Sequence, residues 1–196
     1  MALRHELRAQ YPDWKNAPVR SFGDIDARLL IVGLAPGMKG ANRTGRPFTG
    51  DYAGDLLYAT LLEFGFAQGT YKADPNDGLR LVDARIANAV RCLPPENKPL
   101  PAEFAACRPF LQAELAVMPN VKVLLALGKG AHDQILRALT VRPAGAYPFV
   151  HGRLHKLPTG LYLADSYHCS RYNTNTGRLT TPMFHDVFRK IRTVLS

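Results

Sequence analysis

Two loops concentrate the side chains that can do chemistry. The first, Leu34–Gly54, reads LAPGMKGANRTGRPFTGDYAG, 21 residues with five glycines. That is longer than a strand-to-helix connection needs, and loops of this kind tend to carry function. It holds a carboxylate, Asp51, three residues after an aromatic, Phe48. An aromatic face can stack on a nucleobase, and a carboxylate can orient water or stabilise a developing cation, a pairing that suits cleavage of a glycosidic bond. A structural role is open for each as well: Asp51 as the cap of a following helix, Phe48 as core. Phosphate cradling of the nucleoside triphosphate kind is excluded. Gly40 and Gly45 have the P-loop spacing, but Arg46-Pro47 follow where Lys and Ser or Thr are required.

The second loop, Asp165–Thr180, reads DSYHCSRYNTNTGRLT. One His, two Arg, two Asn, three Thr and two Ser fall within these 16 residues, a density of donors suited to phosphates and base edges. His168 can donate a hydrogen bond to an oxygen that becomes negative, and Arg171 and Arg178 can neutralise phosphates. A lone histidine is ordinarily a hydrogen-bonded structural residue; the polar run around His168 favours function.

These loops need elements to hold them. Four short apolar runs read as buried strands: Arg28–Leu34, Ala84–Val90, Val121–Leu127 and Gly160–Asp165. Helical patterns cover Ala53–Phe64, Ala102–Met118 with Pro101 in the first turn, Gly130–Leu139, and Thr181–Leu195 opened by Thr180, Thr181 and Pro182. Strands alternating with helices predict an α/β fold, a three-layer α/β/α sandwich around a mostly parallel four-stranded sheet. In such sheets ligands bind beyond the carboxyl ends of the strands, where both loops would sit. With 196 residues, 46% of them hydrophobic, one domain is expected, its first 20 polar residues packing loosely.

Twenty-five Lys and Arg against sixteen Asp and Glu give a net charge of +9, which attracts a polyanion, nucleic acid above all. No run approaches the roughly 18 apolar residues of a membrane span, and Met1–Gln10 carries charges where a secretory signal would be apolar. A cytoplasmic, nucleoid-associated, monomeric protein is expected, with no membrane partner. Three cysteines, Cys92, Cys107 and Cys169, none in a Cys-x-x-Cys pair, build no disulfide framework.

Three stretches, GLAPGMKGANRTGRPFTGD (Gly33–Asp51), NAVRCLPPENKPLP (Asn88–Pro101) and SYHCSRYNTNTGRLT (Ser166–Thr180), resemble the uracil-DNA glycosylase superfamily, and within it family 5. The resemblance runs from about Phe22 to the C-terminus. It implies a monofunctional DNA glycosylase of base excision repair that flips out uracil, and other deaminated bases such as hypoxanthine or xanthine, and hydrolyses the N-glycosidic bond. It further implies Asp51 as the catalytic acid residue and His168 as the histidine beside the departing base. Phe48 would stack on that base, Asn88 would read its Watson-Crick edge, and Asn97 would be a polar neighbour. Ala35 stands where other families of the superfamily place a polar residue, so water activation falls on Asp51. Gly37 leaves room where stricter relatives carry bulk. Arg43, Arg46, Ser170, Arg171, Asn173 and Arg178 are the expected DNA contacts.

Families 4 and 5 hold a [4Fe-4S] cluster on four cysteines. Cys92 and Cys107 match the middle pair, while residues 1–91 contain no cysteine. A cluster takes four protein ligands, usually thiolates, so none is expected; His5 as a substitute ligand, or two thiolates alone, is the alternative. Tyr11 and Trp14 are then the expected anchors of the N-terminal segment. Two other functions stay open at this point, a nucleic-acid-binding relative without turnover and a small-molecule nucleoside hydrolase.

Overall fold

The computed structural model describes the backbone of residues 2–196 and side chains from residue 5 onward. In chain order the strands are β1 Phe22–Gly23, β2 Leu29–Gly33, β3 Ala67–Gln68, β4 Arg80–Leu81, β5 Ala84–Asn88, β6 Val123–Leu127, β7 Leu154–Lys156 and β8 Tyr162–Ser166. The helices are α1 Ala2–Gln10, α2 Ala41–Thr44, α3 Tyr52–Glu63, α4 Pro101–Val117, α5 Lys129–Ala138, α6 Arg171–Asn175 and α7 Thr181–Leu195.

Alternate residues of the central strands enter different cores, which makes the sandwich three-layered. Leu29 and Ile31 of β2, with Val123 and Leu125 of β6, pack against Leu57 and Leu61 of α3 and Phe184, Phe188 and Ile191 of α7. Leu30, Val32, Leu124 and Ala126 face the other way, onto Leu111 of α4 and Ile135 and Leu136 of α5. Thr180 starts α7 by accepting a hydrogen bond from the Met183 amide at 3.4 Å, with Pro182 in the first turn.

The main sheet runs β1-β5-β2-β6-β8-β7. The four strands expected from the sequence form its parallel centre, β5-β2-β6-β8. Two short antiparallel strands, β1 and β7, add an edge on each side, so the sheet has six strands. The chain passes from β2 to β5 on one side and from β6 to β8 on the other. The connections leaving their carboxyl ends therefore diverge and open a crevice.

The N-terminal segment is tied down rather than loose. Leu7 is buried, and the fully buried Asn16 donates from Nδ2 to the Tyr11 carbonyl at 2.8 Å and the Leu7 carbonyl at 3.1 Å. Asn42 in turn donates to Asn16 Oδ1 at 2.9 Å, which locks the segment to α2 and the glycine-rich loop. Tyr11 and Trp14 stack on each other at 4.1 Å, but the anchor is this polar clamp.

Candidate active site

Beyond the carboxyl ends of β2, β5 and β8 lies a pocket of about 340 Å³. Its floor is the turn after β2, including Ala35 and Gly37. Its walls carry Phe48, Asp51, Asn88, Asn97, His168 and Ser170. Residues from positions 35 to 170 thus meet in one concavity.

Asp51 stands at the position preceding α3, with extended backbone (φ −123°, ψ 163°), yet its side chain makes no capping bond. Oδ1 is buried and has no hydrogen-bond partner. A buried carboxylate oxygen without a partner is costly to keep, so a place at the start of α3 leaves Oδ1 unaccounted for. Burial pushes its pKa above the usual carboxylate value. The amides of Gly54 and Ala53 pull the other way, and Asp55 adds to the rise.

Two glycines make the geometry possible by close approach. A Cβ at Gly40 would lie 2.2 Å from Asp51 Oδ2. One at Gly33 would lie 2.4 Å from Asn88 Oδ1 and 2.6 Å from the Phe48 ring. Side chains at either position would displace the groups that line the pocket.

Phe48 combines the two roles left open for it. It is 7% exposed, part of the core packed under α3, and its ring edges the pocket. Its φ of 52° is a conformation that L-residues rarely adopt. Asn88 ends β5 with Oδ1 buried and unpartnered, a second orphaned acceptor in the same cavity. Asn97 is exposed at the rim, with φ of 58°.

His168 faces Phe48, ring centroids 5.9 Å apart. Burial pushes its pKa down to about 4, so the imidazole is neutral near pH 7 and offers one N–H. The turn carrying it is braced from several sides. Asn173 Nδ2 donates to the His168 carbonyl at 2.8 Å. The Tyr167 amide donates to His151 Nδ1 at 3.1 Å, and those two rings stack at 4.8 Å. Behind them, His132 Nδ1 donates to the buried carboxylate of Asp165 at 2.7 Å. Cys169 is fully buried, and burial with the nearby Asp51 charge raises its thiol to about 12, which keeps it neutral.

On the two loops that supply the pocket, Arg43, Arg171 and Arg178 are exposed. Arg171 lies over the Tyr52 ring at 5.1 Å and Arg178 over Tyr167 at 4.7 Å, which fixes their orientation. Asn173 is a brace of the loop, while Ser170 both lines the pocket and accepts from the Asn173 amide at 3.4 Å. Arg46, an expected DNA contact, is turned inward instead. Its side chain is 6% exposed and makes two 2.8 Å bonds to the fully buried Asp77 carboxylate, within reach of the rings of Phe22, Tyr58 and Tyr71. Tyr172, the next residue after Arg171, carried no expectation from the sequence and is 70% exposed. Its signal was an aromatic inside a run of otherwise polar residues.

A model of the uracil DNA glycosylase superfamily matches residues 20–192. The chain belongs to this superfamily. Among relatives, it is 47% identical over 181 residues to the type-5 uracil-DNA glycosylase of Thermus thermophilus, covering 92% of this chain and 81% of that one. With the type-5 uracil-DNA glycosylase of Pyrobaculum aerophilum it shares 38% identity over 184 residues, 92% of this chain and 79% of the relative. A type-4 uracil-DNA glycosylase of Thermotoga maritima matches at 40% over 110 residues, 56% of this chain and 49% of the relative.

Likeness to families 4 and 5 implies an iron-sulfur cluster, which takes four protein ligands. Among the described residues no three or more His, Cys, Asp or Glu side chains gather where they could hold a metal. His5 is exposed on α1, and Cys169 is buried in the loop beside Asp51. No helix among the described residues is long and apolar enough to cross a membrane.

Proposed function

We propose that this protein is a monomeric, monofunctional uracil-DNA glycosylase, acting in base excision repair on chromosomal DNA in the cytoplasm. The observation that carries the reading is Asp51, a carboxylate with a buried, unpartnered oxygen in the pocket that His168 lines as a neutral donor. A flipped uracil enters the pocket and lies against Phe48. Asn88 Oδ1 accepts from the N–H on the base's pairing edge, which removes one orphan.

As the glycosidic bond breaks, its electron pair leaves with the base and the sugar becomes oxocarbenium-like. The Asp51 carboxylate stabilises that cation and takes a proton from the water that attacks the sugar carbon. His168 donates its N–H to the base oxygen that gains negative charge. Ala35 has no polar group to share the work on water. No lysine lines the pocket, so no imine forms with the sugar and the strand is left intact. Gly37, whose added Cβ would approach only Asp51 Oδ2, at 3.1 Å, leaves room for larger deaminated bases such as hypoxanthine and xanthine. Exposed Arg43, Arg171 and Arg178 hold the phosphates, and Tyr172 fills the gap that the flipped base leaves in the stack.

The test is a set of oligonucleotides carrying one uracil, hypoxanthine, xanthine or mismatched thymine, incubated with protein and then treated with alkali. Breaks at uracil that need the alkali step are expected. Absence of breaks at every base, in single and double strands, overturns the proposal. We also propose that these residues hold no cluster. Anaerobically purified protein should lack broad visible absorbance, and about four irons per chain would refute this.

A further inference from the structure

A second concavity, this one lined by basic residues, lies on the α4–α5 face and is about 670 Å³ in volume. Arg108 of α4, Arg137 of α5 and Arg142 just beyond α5 line it, with Gln112 and Thr140 between them. It shares no residue with the pocket around Asp51. Helix α5 starts at Lys129, directly after the carboxyl end of β6. At 1.5 Å per residue, Arg137 therefore lies about 12 Å down the helix, away from the level of the catalytic loops.

The three guanidinium groups have no ion pair, hydrogen bond or ring contact among the described residues. Arg108 Nε is buried and still lacks an acceptor. The acids on the same two helices are engaged elsewhere. Glu103 accepts from the Leu100 amide at 2.8 Å, Glu114 pairs with Arg85 and Arg91, and Asp133 pairs with Lys129. No acid lines the groove.

Three unpaired cations around one concavity repel one another, and a buried donor without a partner adds a desolvation cost. An anion rich in oxygens removes both penalties at once. Guanidinium forks match phosphate oxygens in pairs, and a single carboxylate would satisfy only one of the three. We infer that this groove is a second phosphate-binding site, for a ligand that presents two or more phosphates. The phosphates come either from a stretch of DNA backbone distant from the flipped nucleotide or from a free polyphosphate. The site does not depend on the chemistry at Asp51.

Calorimetric titration with sodium tripolyphosphate tests the inference on the full chain. The parent protein should bind it, and the Arg137→Ala/Arg142→Ala double variant should bind at least tenfold more weakly. Both changed residues are exposed, so the thermal midpoint should hold, and a Lys/Lys pair at the same positions should bind at an intermediate level. If DNA is the source, the double variant lowers the salt slope for a 40-base-pair duplex by about 2 and leaves that for a short uracil oligonucleotide unchanged. If free polyphosphate is the source, both slopes stay as in the parent. Tripolyphosphate that fails to bind the parent at millimolar concentration, or binds parent and variant equally, overturns the inference whether or not the protein excises uracil.

Discussion

Replacing Arg46 with Met separates its two conceivable roles, phosphate contact and internal brace. The Asp77 carboxylate is fully buried and takes both 2.8 Å bonds from the Arg46 guanidinium, with further bonds from the Lys72 and Leu79 amides at 3.0 Å. These partners hold its pKa well below the usual carboxylate range. Arg46→Met keeps the aliphatic bulk between the aromatic rings and removes the cation, leaving Asp77 charged, buried and half-paired. Breaking a buried pair in this way costs about 3–5 kcal/mol. In a domain of this size each kcal/mol lowers the thermal midpoint by about 2–4 °C, so a fall of about 6–20 °C is expected. Arg46→Met/Asp77→Asn should recover part of the loss, because the second change neutralises the stranded charge. Because the folded pKa of Asp77 is depressed, the pair's contribution is present above about pH 4 and is lost as pH falls toward that folded value. Thermal melts with parallel DNA-binding titrations in salt read both outcomes. A variant that melts within about 2 °C of the parent while its salt slope drops by about 1 would refute the brace and restore Arg46 as a phosphate contact.

Gly40→Ala places a methyl on top of Asp51 Oδ2; single-turnover excision should slow about 100-fold while duplex binding holds, since a displacement of about 1 Å is enough for that loss. Asn88→Ala removes a buried orphan carbonyl, so excision should fall while the thermal midpoint stays level or rises, and a large drop in midpoint would instead make Asn88 structural. Tyr172→Ala should slow excision from duplex more than from single strands, with no effect on stability, and equal slowing on both substrates would remove its role as a wedge. His168 has a depressed pKa of about 4 against about 6.5 unfolded, so stability intact above pH 6.5 declines as pH falls toward 4; His168→Ala should flatten that decline in pH-dependent melts.

The central strands and the four long helices were legible because each carries its own signal, an apolar β-branched run or a 3.6-residue apolar period. Observed bounds differ from the expected ones by a residue or two, as helix and strand ends do. Strands β1 and β7 are too short to show a pattern and exist only because a neighbouring strand offers unpaired backbone groups. Asp51, Phe48, Asn88 and His168, which line one pocket, stood out by type, loop context and likeness to a family. Arg46 was misread for a physical reason: it sits in a polar, glycine-rich stretch, and its partner Asp77 lies 31 residues away. The Asn16–Asn42 clamp was hidden likewise, since two asparagines 26 residues apart look like loop residues until the fold joins them.

The most direct test of the account is the pH dependence of single-turnover uracil release by the parent and by Asp51→Asn. The parent should release free uracil with an acid limb whose midpoint lies above the ordinary carboxylate value of about 4, in line with the raised pKa of Asp51. Asp51→Asn should bind the oligonucleotide as tightly, release uracil about 100- to 10,000-fold more slowly and lose that limb. An Asp51→Asn protein that keeps the parent's rate and pH profile would contradict the assignment of the chemistry to this carboxylate.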